Sequence, residues 1–497
     1  MQWEPGHPLG SLQDMARDER SVTPQSEDFP AWYNDVIFRA ELVDRGPVRG
    51  SMVIRPYGYR IWELLQADLD GRIKATGHQN AYFPLLIPQS YMEREAEHVE
   101  GFAPELFTVT HAGGKELEEP LVIRPTSETI IGEMMAKWIS SYRDLPLLLN
   151  QWANVLRWEM RPRMFLRTSE FLWQEGHTAH ATEADALAET MLALDFYQGL
   201  AVEVAALAAV PGEKTPRERF AGAQRTFTIE AMMRDGRALQ AGTSHFMGTN
   251  FATVFGITYA SENGTAELCH TTSWGLSTRT VGGVIMTHGD DKGLVLPPAV
   301  APYQVVVVPI GRAGEAAVTL AAATELAASL QRAGIRTHVD ARPQLSPGFK
   351  FNDWEMRGVP IRLELGPRDL AAGTALMSRR LSFQQDAAKH AIPLASAAGL
   401  LTGELAAFQA MLAQRAADFM AARTVITDSW PEFATAVGVG WALALHCGEQ
   451  GCEEEIKAET TATPRCIPLA GEPEQGPCIR CGKPSAYGKR LIFARAY

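Results

Sequence analysis

Two periodicities of apolar residues alternate along the chain and divide it before any chemistry is considered. From Gly58 to Gly77, Ile61, Leu64, Leu65, Leu69 and Ile73 recur at helical spacing, and a glycine closes the run. This predicts an amphipathic helix, followed by a strand, AYFPLLIP, bent at Pro84. Between Leu121 and His180 strand patterns dominate, with V-I-R, L-L-L-N-Q-W and F-L-W-Q-E-G separated by turns. The Ala/Leu-rich segment from Glu183 to Val210 reads as one long core helix. Strand-like pieces resume at Thr226 to Ile229 and Phe251 to Tyr259. Runs of strands with helices to the side predict an α+β core.

Beyond a proline-marked linker, Leu296 to Gln304, the pattern changes. Val305 to Ile310 reads as a buried strand, Glu315 to Ala333 as a helix and Ile335 to Asp340 as a strand. VPIRLEL, after Arg357-Gly358, reads as another strand. Such alternation predicts βαβ units and a mostly parallel sheet. A long helix, Glu404 to Arg423, leads to a last, cysteine-bearing unit. Four segments are expected: an N-terminal extension over 1–28, a large α+β domain over 29–296, an α/β domain over 303–402 and a small α+β domain over 403–497.

Composition narrows the class. With 46% hydrophobic and 21% charged residues over 497 positions, the chain is expected to be globular, with several domains. Its longest strand-like apolar run, VVVVPI, is far below the roughly 20 residues of a membrane span. MQWEPGHPLGSLQDMARDER has no basic start leading into an apolar run, so it is not read as a secretory signal. It reads as disordered or loosely attached, and a cytoplasmic location follows by default. A net charge of −12 argues against a nonspecific nucleic-acid binder but leaves room for local basic faces.

One such face stands out. Arg157, Arg161, Arg163 and Arg167 fall within eleven residues, interrupted by Glu159 and followed by Glu170 and Phe171. Arginine grips phosphate bidentately, and R-x-E, a turn and an aromatic suit a nucleotide site on an antiparallel sheet. An exposed arginine-rich hairpin is the other reading. Arg279 follows in a Gly/Ser/Thr context, where the backbone can approach a ligand and a helix N-terminus favours anions. Arg357, Arg362, Arg368, Arg379 and Arg380 form a second cluster, either a basic face or a solvated face of paired charges.

Four of the six cysteines lie in two pairs, HCGEQGC with Cys447 and Cys452, and PCIRCGK with Cys478 and Cys481. This is close to zinc-knuckle spacing, and four thiolates would leave no open position for catalysis, so a structural Zn²⁺ is expected over free thiols. Cys466 is not assigned as a ligand, and Cys269 is read as a small core residue.

The segment Arg157 to His177 resembles motif 2 of the class II aminoacyl-tRNA synthetases, and TSWGLSTRTVGGV, Thr272 to Val284, resembles motif 3. The helix and proline-ended strand after Gly58 resemble motif 1, the dimer-forming motif, which implies a homodimer. With RPTSE (Arg124 to Glu128), GTSHF and THGDDKGLVLPP in order, the chain from about Phe29 to Tyr497 resembles prolyl-tRNA synthetase. The form it resembles is the archaeal/eukaryotic-like (type 3) one, which also occurs in some bacteria. No large insertion separates the two arginine motifs, so the editing domain of typical bacterial forms is absent.

The resemblance implies an antiparallel-sheet catalytic core over 29–296, an anticodon-binding domain over 303–402 and a zinc-binding domain over 403–497. The substrates would be ATP with Mg²⁺, L-proline and tRNA(Pro), without DNA or membrane. Arg157, Glu159 and Arg279 would be catalytic. The ATP contacts would be Arg157, Glu159, Arg167, Thr168, Phe171, Gln240, Thr243, Ser277 and Arg279. Proline would meet Thr126, Glu128, Arg157, Trp173, His177, Phe220 and His245, although hydrogen-bonded structural His245 and core Trp173 and Phe220 are the plain alternatives. Lys350 and Arg368 are candidate tRNA contacts. Tyr497 would reach back toward the active site, or its strand, Leu491 to Phe493, would merely complete a small sheet. Another synthetase of the subclass, such as threonyl, would need a Cys/His metal set in the catalytic region, which is not seen. A non-catalytic paralogue would typically lack one of the motif arginines, and Arg157, Glu159 and Arg279 are all present.

Overall fold

The computed structural model describes residues 22–92, 106–311, 314–381 and 389–497. The loosely attached segment expected over the first 20 residues lies outside them. Residues just after it are docked: Thr23 donates from N and Oγ1 to Asp35 Oδ2 at 2.9 and 2.7 Å.

Helix α1 (Phe29–Arg39) starts where Asp28 accepts from Ala31 N, and it buries Trp32, Tyr33, Val36 and Ile37. Helix α2 (Pro56–Ala75) is the predicted amphipathic helix, with Ile61, Leu65, Leu69 and Ile73 on its buried stripe. AYFPLLIP forms a strand only over Leu86–Pro88. The strand-rich stretch before His180 contains a helix the sequence reading missed, α3 (Glu128–Trp138), whose Ile130, Ile131 and Met135 pack into a core.

The main sheet begins with β1 (Gln79–Asn80), β2 (Leu147–Leu156) and β3 (Glu170–His180). The expected single helix from Glu183 to Val210 is instead α4 (Glu183–Gly199), a π turn over Leu200–Val204 and strand β4 (Ala209–Glu213). The run LAVEVAALAAV is apolar except for Glu203 and so carries no clear period; pairing of β4 with the next strand decides its form. Strands β5 (Arg225–Met232) and β6 (Ala238–Gly248) follow. The expected strand from Phe251 is a short helix, α5 (Asn250–Phe255), closed by Gly256 at φ 69°, with a strand only at Thr258–Ala260. Strand β7 (His270–Ser277) leads directly into α6 (Arg279–His288).

The next unit contains β8 (Val305–Pro309), α7 (Ala316–Arg332), β9 (Thr337–Val339), α8 (Pro347–Met356), β10 (Ile361–Leu365), β11 (Thr374–Arg379) and β12 (His390–Pro393). Its order is β9-β8-β10-β11-β12. The first three strands are parallel, while β11 and β12 are antiparallel, so the sheet is mixed rather than mostly parallel. A short connection carrying the one-turn helix Pro367–Ala371 returns the chain from β10 to an antiparallel β11, whereas the parallel pairs have longer helical crossovers. Helix α9 (Ala397–Ala422) joins the last unit, which has β13 (Thr424–Ile426), β14 (Trp441–Ala444), α10 (Gln450–Thr460), β15 (Thr463–Pro468) and β16 (Leu491–Ala494).

The last unit does not stand apart. Ile467 and Pro468 of β15 pair with Glu213 and Gly212 of β4, giving one 11-stranded sheet in the order β13-β14-β16-β15-β4-β5-β6-β7-β3-β2-β1. One face of its central strands packs on α1, α2 and α4 through Phe227, Ile229, Leu239, Trp274 and Leu276. A Cβ on Gly176 would sit 2.1 Å from the Trp274 indole, so glycine lets that ring lie against the sheet. The opposite face remains for the site.

Candidate active site

Side chains alternate across a strand, so β3 turns Phe171, Trp173, Glu175 and His177 to one face, and β7 turns Ser273, Gly275 and Ser277. Register aligns them. His177 opposes Ser273, Ser273 opposes His245 and His245 opposes Thr226. In the next row Glu175 opposes Gly275, which opposes Thr243. A strict period of two would put Gln240 and Thr243 of β6 on opposite faces. Instead Gly242 pairs with Ile229 while Gln240 pairs with Glu230, leaving Ala241 as a bulge. Both Gln240 and Thr243 therefore line the same cavity, of about 260 Å³. A Cβ on Gly275 would come no closer than 3.4 Å to protein atoms, so its missing side chain leaves cavity space open.

One end of this cavity is a buried anion beside apolar rings. Glu128, the first residue of α3, accepts from Thr126 Oγ1 and from Ser273 Oγ, the latter at 2.5 Å. Its place at a helix N-terminus favours the carboxylate. Phe220 stacks on His245 with centroids 4.5 Å apart, and His245 Nδ1 meets Thr226 Oγ1 at 3.0 Å. Burial pushes the His245 pKa down to about 4, so this ring is neutral at pH 7. His177 departs from expectation: it lies behind Glu128 on a side cavity rather than on the main wall. Its Nε2 meets Glu175 Oε2 at 3.0 Å. Burial opposes its charge, but the hydrogen bond and charge of Glu175, with the charge of Glu128, outweigh burial and raise its pKa above the ordinary value. Glu175 also accepts from Ser127 Oγ at 2.5 Å and Gln151 Nε2 at 2.7 Å.

The other end is cationic. Arg157 follows β2; its Nε donates to Pro125 O at 2.9 Å, and its guanidinium lies 5.5 and 5.6 Å from the Phe171 and Trp173 centroids. Arg279 opens α6 and donates from Nε to Leu166 O at 3.0 Å. Burial, then the charges of Arg157 and Arg167, push its pKa down to about 10, which leaves it charged at pH 7. A second cavity of about 200 Å³ shares Arg157, Phe171, Ser277 and Arg279 with the first and adds Glu159, Arg167, Thr168 and Tyr497. Glu159 pairs with Arg167 and accepts from Arg161 N at 2.7 Å. Thr168 Oγ1 donates to Glu170 O at 2.7 Å. Tyr497 donates to Asp235 Oδ2 at 2.5 Å, and its ring lies beneath the guanidinium groups of Arg163 and Arg237.

Sequence reasoning missed Glu175, Ser273, Thr226 and Lys214, all on the cavity wall. Glu175 was legible in principle, midway between Trp173 and His177 on one strand face. Lys214 was not. It is buried and bonded to Glu230 Oε1 at 2.7 Å, and Glu230 is also met by Arg465 Nε of β15 at 3.2 Å.

The cysteine pairs converge. Ligand atoms of His446, Cys447, Cys452 and Cys478 lie within 4.8 Å of one another, and Cys481 Sγ is 3.7 Å from Cys447 Sγ. His446, which was not anticipated, has its Nδ1 occupied by the Gly448 N–H at 3.0 Å. Cys466 lies elsewhere, in a separate apolar cluster with Trp441 and Ile492, and Cys269 is a core residue whose thiol burial pushes up to about 12.

The second arginine cluster is largely paired. Arg357 meets Glu41 and Asp353, Arg362 meets Glu364, Arg379 meets Glu404, and buried Arg380 meets Asp290. Lys350, expected at a tRNA surface, is buried and donates to Asp340 O at 3.0 Å, because it lies on the inner side of α8; it is not an accessible contact. Arg368 is exposed.

An antiparallel sheet whose cationic end is built from an arginine after one strand and an arginine opening a helix defines a class II aminoacyl-tRNA synthetase. Residues 107–288 match the family model of the "tRNA synthetase class II core domain (G, H, P, S and T)", residues 304–403 the "Anticodon binding domain" and residues 430–497 "Prolyl-tRNA synthetase, C-terminal". The chain is 69% identical to proline–tRNA ligase 2 of Rhodococcus jostii over 97% of its own length and 100% of that protein. It is 63% identical to the proline–tRNA ligase of Mycobacterium leprae (97% and 100% covered) and 50% identical to that of Deinococcus radiodurans (98% and 98%). The chain belongs to the prolyl-tRNA synthetase family.

Proposed function

We propose that the chain is a proline–tRNA ligase that activates proline with ATP and transfers it to the 3′ end of tRNA(Pro). The observation that carries the amino-acid specificity is the buried Glu128 carboxylate, framed by Thr126 and Ser273 beside the Phe220–His245 stack. A secondary ammonium on an apolar ring needs an anion for its nitrogen and flat apolar walls. Arg157, at the junction of the two cavities, would receive the carboxylate and the α-phosphate, and Arg279 the γ-phosphate. The adenine would lie between Phe171 and Arg279, with Glu159 accepting from its amine. For that, Glu159 must exchange part of its Arg167 pairing for the base. Arg167, Thr168, Gln240, Thr243 and Ser277 complete the nucleotide contacts, and Trp173 walls the junction. His177 acts through Glu175 rather than by touching proline. Mg²⁺ would accompany ATP and neutralise phosphate charge. The barrier falls mainly through positioning and through cations that are already in place. Pyrophosphate exchange with each amino acid in turn tests the reading: only proline should support fast exchange. A threonyl reading has no support here, since Cys269, the only cysteine outside the C-terminal unit, is buried in the core.

The domain roles follow the divisions 29–296 for activation, 303–402 for the anticodon and 403–497 for a zinc module. Tetrahedral zinc with about 2.3 Å bonds sets its sulfurs about 3.8 Å apart. The 3.7 Å between Cys447 and Cys481 matches that spacing and is far from a disulfide. Cys447, Cys452, Cys478 and Cys481 would hold a structural Zn²⁺, with His446 outside the shell. Metal analysis of unchelated protein should return about one zinc per chain; none would leave free thiols. The continuous run from β3 to β7, without an inserted domain, and the cysteine module support the archaeal/eukaryotic-like (type 3) form, although the relatives named above are bacterial. A homodimer through α2 and the strand after it, and a cytoplasmic location, complete the proposal. No helix among the described residues is long and apolar enough to cross a membrane.

A further inference from the structure

A groove of about 520 Å³ lies where the C-terminal unit meets the catalytic sheet, within the ~300–1,000 Å³ range of ligand clefts. Lys214 and Arg219 line both this groove and the main cavity, so the two spaces adjoin. Its floor is fixed by the pairing of β15 with β4 and by Leu469 N donating to Pro211 O at 3.0 Å.

Its charges are asymmetric. Glu213 is held by Arg225 through bonds of 2.8 and 2.7 Å, and Lys214 by Glu230. Arg219 and Lys489 remain. Both donate only to main-chain carbonyls among the described residues: Arg219 to Pro216 O and Gln224 O, Lys489 to Leu469 O at 2.8 Å. Neither meets a carboxylate there. Half-buried Tyr487 lines it with an aromatic ring, and exposed Gln224 with an amide. Cations beside an aromatic in a groove suit single-stranded nucleic acid, whose phosphates meet the charge and whose bases stack. In a chain of net charge −12, two cations unmatched by carboxylates beside the active site are informative.

We propose that this groove binds the single-stranded 3′-terminal nucleotides of the tRNA as they approach the aminoacyl-adenylate. The inference rests on the proline–tRNA ligase reading and goes beyond it by assigning the acceptor path and giving the C-terminal unit a direct part in transfer. The step itself is the attack of the terminal ribose hydroxyl on the adenylate carbonyl. The ester C–O bond forms, the bond between the carbonyl carbon and the phosphate oxygen breaks, the hydroxyl proton passes to the departing phosphate and AMP leaves.

Lys489→Glu and Lys489→Gln test it in the full-length protein, since Lys489 lines the groove and not the main cavity. Proline-dependent pyrophosphate exchange, which needs no tRNA, should be unchanged in both. The KM for tRNA should rise roughly tenfold in the reversal and less in the neutral variant, and the log–log salt slope of tRNA binding should fall by about one in the latter. Trimming the three terminal nucleotides from tRNA should weaken binding to the parent protein and add little further loss in Lys489→Glu. An unchanged tRNA KM and salt slope, or equal sensitivity to trimming in parent and variant, would overturn the groove assignment while leaving amino-acid activation standing. Failure of the parent to exchange with proline would instead overturn the ligase reading.

Discussion

At the scale of residues, two buried groups make sharp expectations. Glu128 holds the site proposed for the proline nitrogen and does not line the cavity proposed for the nucleotide. Glu128→Ala removes a charge-assisted hydrogen bond of about 1.5–3 kcal/mol. Steady-state exchange kinetics should show the KM for proline rising at least tenfold and that for ATP changing far less; equal changes would show that the carboxylate is not specific to the amino acid. His288, at the end of α6, shares a hydrogen bond of 3.0 Å between its Nε2 and Ala205 O, and burial pushes its pKa down to about 3. Below the ordinary value near 6.5 the unfolded chain takes up protons that the folded one refuses, at His288 and at His245. Stability is therefore retained above that pH and falls as pH drops toward the folded values, by of order 1 kcal/mol per pH unit for each histidine. Denaturant titrations at pH 7 and 5 should show this loss, and His288→Asn should make it shallower.

At the scale of elements, the pocket is a product of register. The bulge at Ala241 brings Gln240 and Thr243 to one face, and Gly275 keeps the middle row open between Glu175 and Thr243. Gly275→Ala should fold normally, because its new Cβ meets protein atoms at ordinary contact distance, the nearest at 3.4 Å. The added methyl group should intrude on the cavity instead. A melting temperature within about 2 °C of the parent, together with at least tenfold weaker exchange activity, is expected. A fully active Gly275→Ala protein would show that this row does not bound a substrate. Sequence periodicity located β3, α2 and β8 well, while the start of α6 came from the motif resemblance and β7 was not anticipated as a strand. It failed for α5 and for the end of α4, where the helix was too short or the run, broken only by Glu203, too apolar to carry a clear period.

At the scale of the whole molecule, the C-terminal unit is part of the catalytic body. Its β15 extends the sheet, Arg465 completes the buried Lys214–Glu230 pair, and Tyr497 lines one side of the cavity proposed for the nucleotide. Tyr497 N donates to Ala238 O at 3.3 Å, so the segment is held at both backbone and ring. Deleting Tyr497 should raise the KM for ATP in pyrophosphate exchange by several-fold while metal content and melting temperature stay the same. Full activity would reduce the tyrosine to packing. This contact was expected from the resemblance, but neither the pairing with Asp235 nor the cationic flanks of Arg163 and Arg237 could be read from the order of residues.

The sequence by itself determined the class of fold and most of the chemistry, because motif residues such as Arg157, Glu159 and Arg279 are close in the chain to the turns and helix ends that present them. It also placed the cysteine pairs, whose short spacings bring two thiols together within each turn. The tertiary structure decided what long-range pairing controls. It set His177 on a side cavity with Glu128, bonded to Glu175, buried Lys350 and turned most of the second arginine cluster into ion pairs. It also joined β15 to β4 and so made the groove between two units. Partners more than 200 residues apart, such as Glu230 and Arg465, leave no local signal, since nothing in the spacing of either segment depends on the other.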